Sequence, residues 1–347
     1  MAKTTHILDE TLIVARDTPA SVVPALRSMS PLARQEQVQT SVIIVTWNSE
    51  RWIERCLTAL PAACGDMSYE ILVYDNHSSD RTLSLIGREA RVIGSPSNDG
   101  FAAGTNRGAV ETRGRYLFLL NPDCELAPGS LRVLHDFLDA HPEAAAAVPV
   151  LTGDGGQSQR EFQLRRLPTL MTFASTVLLL DKILPANRVT ARYRYRDLSL
   201  DRPRPVEQPA AAAMLLRREV YDRVGPLDEE FTPAWFEDVD YCRRLAGHGE
   251  VIYVVPEASA RHFGGASLEH VSFEFFTVVW YRNLFLYASK WFSAGETEAL
   301  RWFIILGMLL RIPPAILGLA HPEVDRWSAV GTYARVLRSA FRRWGKD

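Results

Sequence analysis

The sequence has little cysteine, no imbalance of charge and no long apolar run, and each shortage closes off a class of protein. The four cysteines, Cys56, Cys64, Cys124 and Cys242, include no CxxC pair. That spacing argues against a zinc ribbon or a dithiol redox centre and leaves free buried thiols in a reducing compartment. Lys and Arg number 39 against 41 Asp and Glu, a net charge of −2. No global field then draws the chain to nucleic acid, and no nucleic-acid partner is expected. No uninterrupted apolar run reaches the roughly 18–20 residues of a membrane-crossing helix. The nearest approach, Trp302–Leu310, is expected to end at Arg311 and the Pro313-Pro314 pair. A spanning helix is not expected, while contact with a membrane surface stays open. Residues 1–20 lack the basic-then-apolar order of a secretory leader, which predicts a cytoplasmic location.

What is present is a globular composition, 47% hydrophobic and 23% charged, with ample material for a core. The length suits one large domain or one domain with appendages. Residues 1–39 read as a leader punctuated by Pro19, Pro24 and Pro31, and the pattern then sharpens. Ser41–Thr46, Glu70–Tyr74, Arg91–Ile93, Tyr116–Leu120 and Ala144–Val150 read as strands. Ser49–Leu60, Asp80–Glu89, Gly100–Arg113 and Ser130–Ala140 read as the helices between them. Ala210–Arg217 and Val251–Val255 are further strands, Phe236–Ala246 a further helix, and the chain turns helical and aromatic from Phe273. Continuous apolar strands alternating with helices predict an α/β fold, a mostly parallel sheet covered on both faces, with a C-terminal helical extension. The division expected is a leader at 1–39, a sheet domain at 40–270 and a helical region at 271–347.

Ligands of such sheets collect at the carboxyl ends of the strands. Three strand ends here carry polar clusters: Thr46-Trp47-Asn48, Asp75-Asn76 and Asn121-Pro122-Asp123. Asp75 can accept hydrogen bonds from a nucleobase or a ribose. The glycine-containing stretch Asn98–Asn106 can bring backbone amides to phosphate oxygens ahead of a helix N-terminus. Both can equally be capped turns. Asp123 can hold Mg²⁺ or Mn²⁺ with phosphate oxygens completing the shell, or it can simply follow a proline turn. Glu237, Asp238 and Asp240 sit in a first helical turn, where the macrodipole stabilises carboxylates, and Asp240 is spaced to pair with Arg244. That field, with a metal nearby, would keep Asp238 ionised and ready to take a proton. His262 offers a neutral imidazole to a metal, although a lone histidine is often structural.

The order of these clusters resembles a known family. SVIIVTWN (Ser41–Asn48), VYDNHSSD (Val73–Asp80), NDGFAAGTNRG (Asn98–Gly108), LLNPDCEL (Leu119–Leu126), WFEDVDYCR (Trp235–Arg243) and HFGGAS (His262–Ser267) occur in series. Together they resemble the family 2 glycosyltransferases of GT-A fold, and in particular their bacterial rhamnosyltransferase-like branch. The resemblance implies an inverting transfer of a sugar, rhamnose from dTDP-rhamnose or another sugar from a UDP donor, to a glycan or polyprenyl-diphosphate-linked acceptor. It implies Asp238 as the base, and Asp123 and His262 as ligands of Mg²⁺ or Mn²⁺. Thr46, Trp47, Asp75, Asn98, Gly100, Asn106 and Asn121 would lie on the nucleotide and donor, with Ala211, Ala212, Trp235 and Glu237 on the acceptor side. The stretch QREFQLRRLPTL (Gln159–Leu170) also resembles a segment of that branch, with no residue-level role. Asn121 replaces the first Asp of the family's DxD. Gln208 and Ala211 stand where Trp and Gly are expected, at the acceptor border.

The aromatic tail from Phe273, ending in Arg335, Arg338, Arg342, Arg343 and Lys346, suits the surface of an anionic membrane, the catalytic domain itself or a homodimer interface. The arginines from Arg188 to Arg204 could face an acceptor diphosphate or form a solvated loop. A nucleotidyltransferase would carry a basic glycine-rich loop after the first strand, and SVIIVTWNSE has none. A binding protein without activity would be expected to lack Asp238 or His262.

Overall fold

The computed structural model describes residues 38–264, 271–319 and 323–344. Nearly all of the expected leader lies outside them, as do Gly265, Ala266 and Ser267 of the last motif. The β-branched run Thr40–Thr46 (β1) is buried along its whole length, as a strand flanked by helices on both faces must be. Around it follow α1 (Ile53–Cys64), β2 (Tyr69–Asp75), a 3-10 turn (Thr82–Leu85), β3 (Ala90–Gly94), α2 (Phe101–Val110), β4 (Tyr116–Leu120), β5 (Cys124–Leu126), α3 (Ser130–Ala140) and β6 (Ala144–Thr152). An irregular stretch holds α4 (Arg160–Gln163), β7 (Leu164–Arg165), α5 (Leu170–Val177), α6 (Leu180–Ile183), α7 (Arg188–Tyr193), β8 (Arg204–Val206) and β9 (Gln208–Pro209). The chain re-enters the sheet with β10 (Ala213–Arg217), α8 (Arg218–Val224), α9 (Glu237–Gly247) and β11 (Val251–His262). It closes with α10 (Phe273–Trp291), α11 (Ala294–Ile316) and α12 (Arg326–Phe341).

The main sheet runs β3-β2-β1-β4-β10-β6-β11-β5, with β8 also on β11. Strands β1 to β4 pair in parallel, as do β6 and β11. β10 lies antiparallel between β4 and β6, and β5 antiparallel to the end of β11. The mostly parallel sheet is therefore as expected, and two of its antiparallel strands, β10 and β5, border the site. β11 runs seven residues past the expected Val255, because Ala258, Ala260 and His262 alternate inward with a more exposed set.

Two expected helices differ. α1 lies four residues later than expected, at Ile53–Cys64, after a turn in which the Trp52 and Ile53 N–H groups both donate to the Ser49 carbonyl. Of Asp80–Glu89 only a single 3-10 turn, Thr82–Leu85, is helical, and Leu85 and Ile86 at its end pack against the core. α2 lies close on the sheet by means of its glycines. A Cβ at Gly104 would meet Val45 and Tyr74 at 2.8 Å, and one at Gly108 would meet Ile43 Cγ2 at 2.6 Å.

α11 differs from its expected end at Arg311. The helix continues through Pro313 and Pro314, and the Arg311 guanidinium donates to the Gly307 carbonyl at 2.9 Å, to Thr176 at 3.3 Å and to Val177. It is the one helix among the described residues long and apolar enough, by length and composition, to cross a membrane. Leu300, Ile304 and Met308 are fully buried in a core shared with Phe173, Phe236 and Tyr287. Trp302, Leu306, Leu309 and Leu310 on its other side are each about half exposed.

Candidate active site

The turn after β4 brings Asp123 beside the end of β11. Asn121 N–H donates to Ala212 O at 2.8 Å, and the Asn121 carbonyl accepts from Cys124 N–H at 3.1 Å, closing the Asn-Pro-Asp turn. β5 then pairs with β11 so that Cys124 faces His262, and Phe263 N–H donates to Asp123 O at 3.0 Å. His262 Nε2 lies 3.6 Å from Asp123 Oδ1, and both residues are 4% exposed.

Gln159 fixes the imidazole. Its Nε2 donates to the His262 carbonyl at 2.8 Å and its Oε1 lies 2.9 Å from His262 Nδ1. A carbonyl can only accept, so the first contact identifies the amide nitrogen. The amide oxygen can then only accept, so Nδ1 carries the proton and the Nε2 lone pair faces Asp123. Burial lowers the imidazole pKa against the pull of the Asp123 charge, which favours the neutral form. Cys124 Sγ belongs to the same cluster, within 4.8 Å of the other two ligand atoms. Burial, then the Asp123 charge, pushes its thiol pKa well above the usual range, so it offers no ready thiolate. A carboxylate oxygen and a neutral imidazole nitrogen at this separation suit an ion of Mg²⁺ or Mn²⁺ type. All four cysteines are free and buried.

The second corner is the start of α9. Trp235 and Phe236 are consecutive non-glycine residues with φ of +73° and +78°, a conformation that costs of order 1–3 kcal/mol per residue. α10 holds this turn. Asn283, fully buried, donates to Ala234 O at 2.9 Å and Trp235 O at 3.0 Å, and Arg282 donates to Thr232 O. The turn aims Glu237 and Asp238 into the cavity. Burial raises Asp238 above the ordinary carboxylate range, opposed by the Val239 N–H, the Arg165 charge and the Ala211 N–H. The expected effect of the helix terminus is thus outweighed, because desolvation dominates at this depth. Burial, then the Asp238 charge, raises Glu237 further still, and its Oε2 has no hydrogen-bond partner. Asp240 is structural: fully buried, it pairs with Arg244 at 3.0 Å as its spacing predicted, with Lys290 at 2.7 Å, and accepts from Trp291 Nε1 at 2.8 Å.

Both corners open on one cavity of about 620 Å³. Asn121, Asp123 and His262 line one part of it, and Ala211, Ala212, Trp235, Glu237 and Asp238 another. Three further residues line it: Gln159 and Arg165, which carried no assigned role in the sequence, and Gln208, which was marked only as a departure at the acceptor border. The first two fall in the QREFQLRRLPTL stretch, and that stretch was the available signal.

The remaining expected contacts are not brought to this cavity. Thr46 and Asp75 pair across β1 and β2. Thr46 Oγ1 donates to Asp75 Oδ1 at 2.9 Å, and Ser78 donates twice to the same carboxylate, at 2.9 and 2.6 Å. Trp47 follows β1, half-buried. Asn98 Oδ1 accepts from Gly100 N–H at 3.1 Å. Gly100 has φ +92°, and a Cβ there would sit 2.6 Å from Pro233 O, so its lack of a side chain serves chain packing. Asn106 is spent as well. Its amide donates to Leu227 O at 2.9 Å and Glu229 Oε1 at 2.8 Å, and its oxygen accepts from Leu227 N–H and Tyr221 OH. It staples α2 to the 227–229 turn.

Known proteins resemble this chain in sequence and in fold. N-acetylglucosaminyl-diphospho-decaprenol L-rhamnosyltransferase of Mycobacterium tuberculosis is 28% identical over 235 residues, 64% of this chain and 75% of that one. Rhamnosyltransferase WbbL of Escherichia coli K12 is 25% identical over 232 residues, 64% of this chain and 82% of that one. The crystal structure of GalNAc-T7 with UDP, GalNAc and Mn²⁺ superposes with a TM-score of 0.51 at 14% identity, over 89% of this chain and 56% of that one. The shared architecture is the GT-A fold. Residues 41–225, more than half of the chain, match the model of glycosyl transferase family 2; the chain belongs to that family and is a glycosyltransferase.

Proposed function

We propose that the chain transfers a sugar, with inversion, from a nucleoside-diphosphate sugar to a hydroxyl of a glycan or lipid-diphosphate-linked glycan acceptor. The observation that carries this reading is the opening of the Asp123–His262 corner and of Asp238 onto one cavity. Rhamnose from dTDP-rhamnose is the leading donor, supported by the printed activities of the Mycobacterium tuberculosis and Escherichia coli relatives; a UDP-hexose is the alternative. The Mycobacterium tuberculosis relative's name also supports a lipid-diphosphate acceptor.

Asp123 and His262 would hold Mg²⁺ or Mn²⁺, which supplies positive charge against the leaving diphosphate. Asp238 takes the proton of the acceptor hydroxyl as that oxygen bonds to the anomeric carbon. The bond to the donor phosphate breaks on the opposite face, and its electron pair leaves with the nucleoside diphosphate. A base raised by burial holds its proton more firmly and is better matched to neutral pH. Glu237, whose burial favours the protonated form, can then donate a hydrogen bond to an acceptor hydroxyl, and the half-buried Trp235 offers a ring face to a sugar. The half-exposed side of α11, with basic residues nearby on α12, suits peripheral contact with the inner face of a cytoplasmic membrane.

The test is release of nucleoside diphosphate from a panel of nucleotide sugars with Mg²⁺ or Mn²⁺ and an acceptor mixture. Asp238→Asn is expected to keep nucleotide binding and lower turnover by about 10²–10⁴-fold. In the wild type, kcat/KM should rise with pH as Asp238 loses its proton, with a midpoint above the ordinary carboxylate range. Release from no donor would overturn the transfer reading, and near-normal turnover of Asp238→Asn would overturn the base.

A further inference from the structure

A third wall of the cavity carries polar groups that the protein does not satisfy. Arg165 and Gln208 face each other across the short β7–β9 ladder, and both line the cavity. The Arg165 guanidinium lies 5.9 Å from the Phe162 ring and 5.8 Å from the Tyr193 ring. Its Nε is buried without a hydrogen-bond partner, and no carboxylate of the described residues pairs with it. Gln208 is 3% exposed, and its Oε1 is likewise without a partner.

The neighbouring arginines differ. Arg166 pairs with Glu207 at 3.1 Å, Arg194 with Asp181 at 3.3 Å and Arg196 with Glu161 at 2.9 Å. Arg204 pairs with Asp201 at 3.2 Å; its Nε too is buried without a partner, but it does not line the cavity. Three of the arginines expected to face an acceptor diphosphate are thus neutralised within the protein, and Arg165, among the described residues, lines the cavity with no carboxylate at ion-pair distance. A partly buried, unpaired guanidinium is costly unless an anion meets it.

Its place assigns the anion. The donor's diphosphate belongs at Asp123 and His262, whereas the charge of Arg165 acts on Asp238, the group that must reach the acceptor. An orphaned carboxamide oxygen can accept from a hydroxyl, and an orphaned guanidinium can pair with a phosphate. A sugar bonded through its anomeric oxygen to phosphate presents the two side by side. We propose that Arg165 and Gln208 form an acceptor subsite that reads a glycosyl phosphate, Arg165 taking the phosphate and Gln208 Oε1 a sugar hydroxyl. This rests on the transfer reading above and supplies the acceptor's chemistry.

The experiment compares two acceptors with the full chain: undecyl-diphospho-N-acetylglucosamine and the undecyl glycoside of the same sugar without phosphate. The wild type is expected to favour the first by roughly 10–100-fold in kcat/KM, the worth of a charge-assisted contact. Arg165→Gln should erase that preference through KM, and Arg165→Lys should keep part of it. Affinity for the nucleoside diphosphate with Mn²⁺ should move by less than about twofold. Equal use of both acceptors by the wild type, equal loss on both in Arg165→Gln, or a matching loss of nucleotide affinity would each overturn the subsite. Transfer to the plain glycoside keeps the transfer reading alive in those cases; no release from any donor overturns both. Should Arg165→Gln fail to fold, competition on the wild type decides. Undecyl diphosphate should inhibit and undecanol should not, and equal inhibition or none by the diphosphate would overturn the subsite.

Discussion

Gln159 contributes no charge and no titration, yet it determines which nitrogen of His262 faces Asp123. Partners of this kind commonly alter metal affinity by about 10–100-fold. Gln159→Leu should therefore weaken Mn²⁺ binding by about that factor, read by electron paramagnetic resonance of free Mn²⁺ in a titration of the purified protein. An unchanged affinity would show that the imidazole is oriented without it. Asp123, Asp238 and His262 were legible in the sequence because their chemistry is carried by residue type and their order by motif. Gln159 and Arg165 were not, and Gln208 was marked only as a departure from the family pattern, because a glutamine or an arginine becomes conspicuous only when its partners, or their absence, can be seen. The same limit explains Asn106. Its type suits a ligand contact, but four hydrogen bonds to Leu227, Glu229 and Tyr221 have already used it.

At the scale of elements, continuous apolar strands made the parallel half of the sheet readable from β1 to β4. The β5–β11 pairing was less so, since β5 has only three residues and carries no periodicity of its own. That pairing nevertheless creates the Asp123–His262 corner. The Asp238 corner depends likewise on a partner distant in sequence. Asn283 on α10 bonds two carbonyls of a turn whose residues adopt left-handed backbone. Asn283→Ala leaves those carbonyls unsatisfied and should cost about 1–3 kcal/mol of stability, measured by denaturant unfolding. It should also lower kcat more than it weakens nucleoside-diphosphate binding, because the turn carries Asp238 and not Asp123. Equal effects on both would mean that the turn holds its shape without α10.

For the molecule as a whole, the sequence predicted a helical, aromatic tail but misplaced the end of α11, where Arg311 turns inward to backbone carbonyls instead of stopping the helix. The continuous helix presents Trp302, Leu306, Leu309 and Leu310 on one exposed side, with Trp327 exposed on α12. If that side meets lipid, Leu306→Glu with Leu309→Glu should lower binding to anionic vesicles by at least about tenfold, since each leucine buried is worth roughly 1.5–3 kcal/mol. Vesicle flotation of the full chain measures it, and sedimentation distinguishes a homodimer that uses the same face. Unchanged flotation would exclude this face as the contact.

The grip of α10 on the Trp235–Phe236 turn has a consequence for synthesis. Every motif that marks the family lies before residue 270, while the residues that clamp the Trp235–Phe236 turn, Arg282 and Asn283, follow it. On the ribosome, a nascent chain displays the complete family signature before that turn is supported. The turn gains its clamp only when α10 emerges and docks.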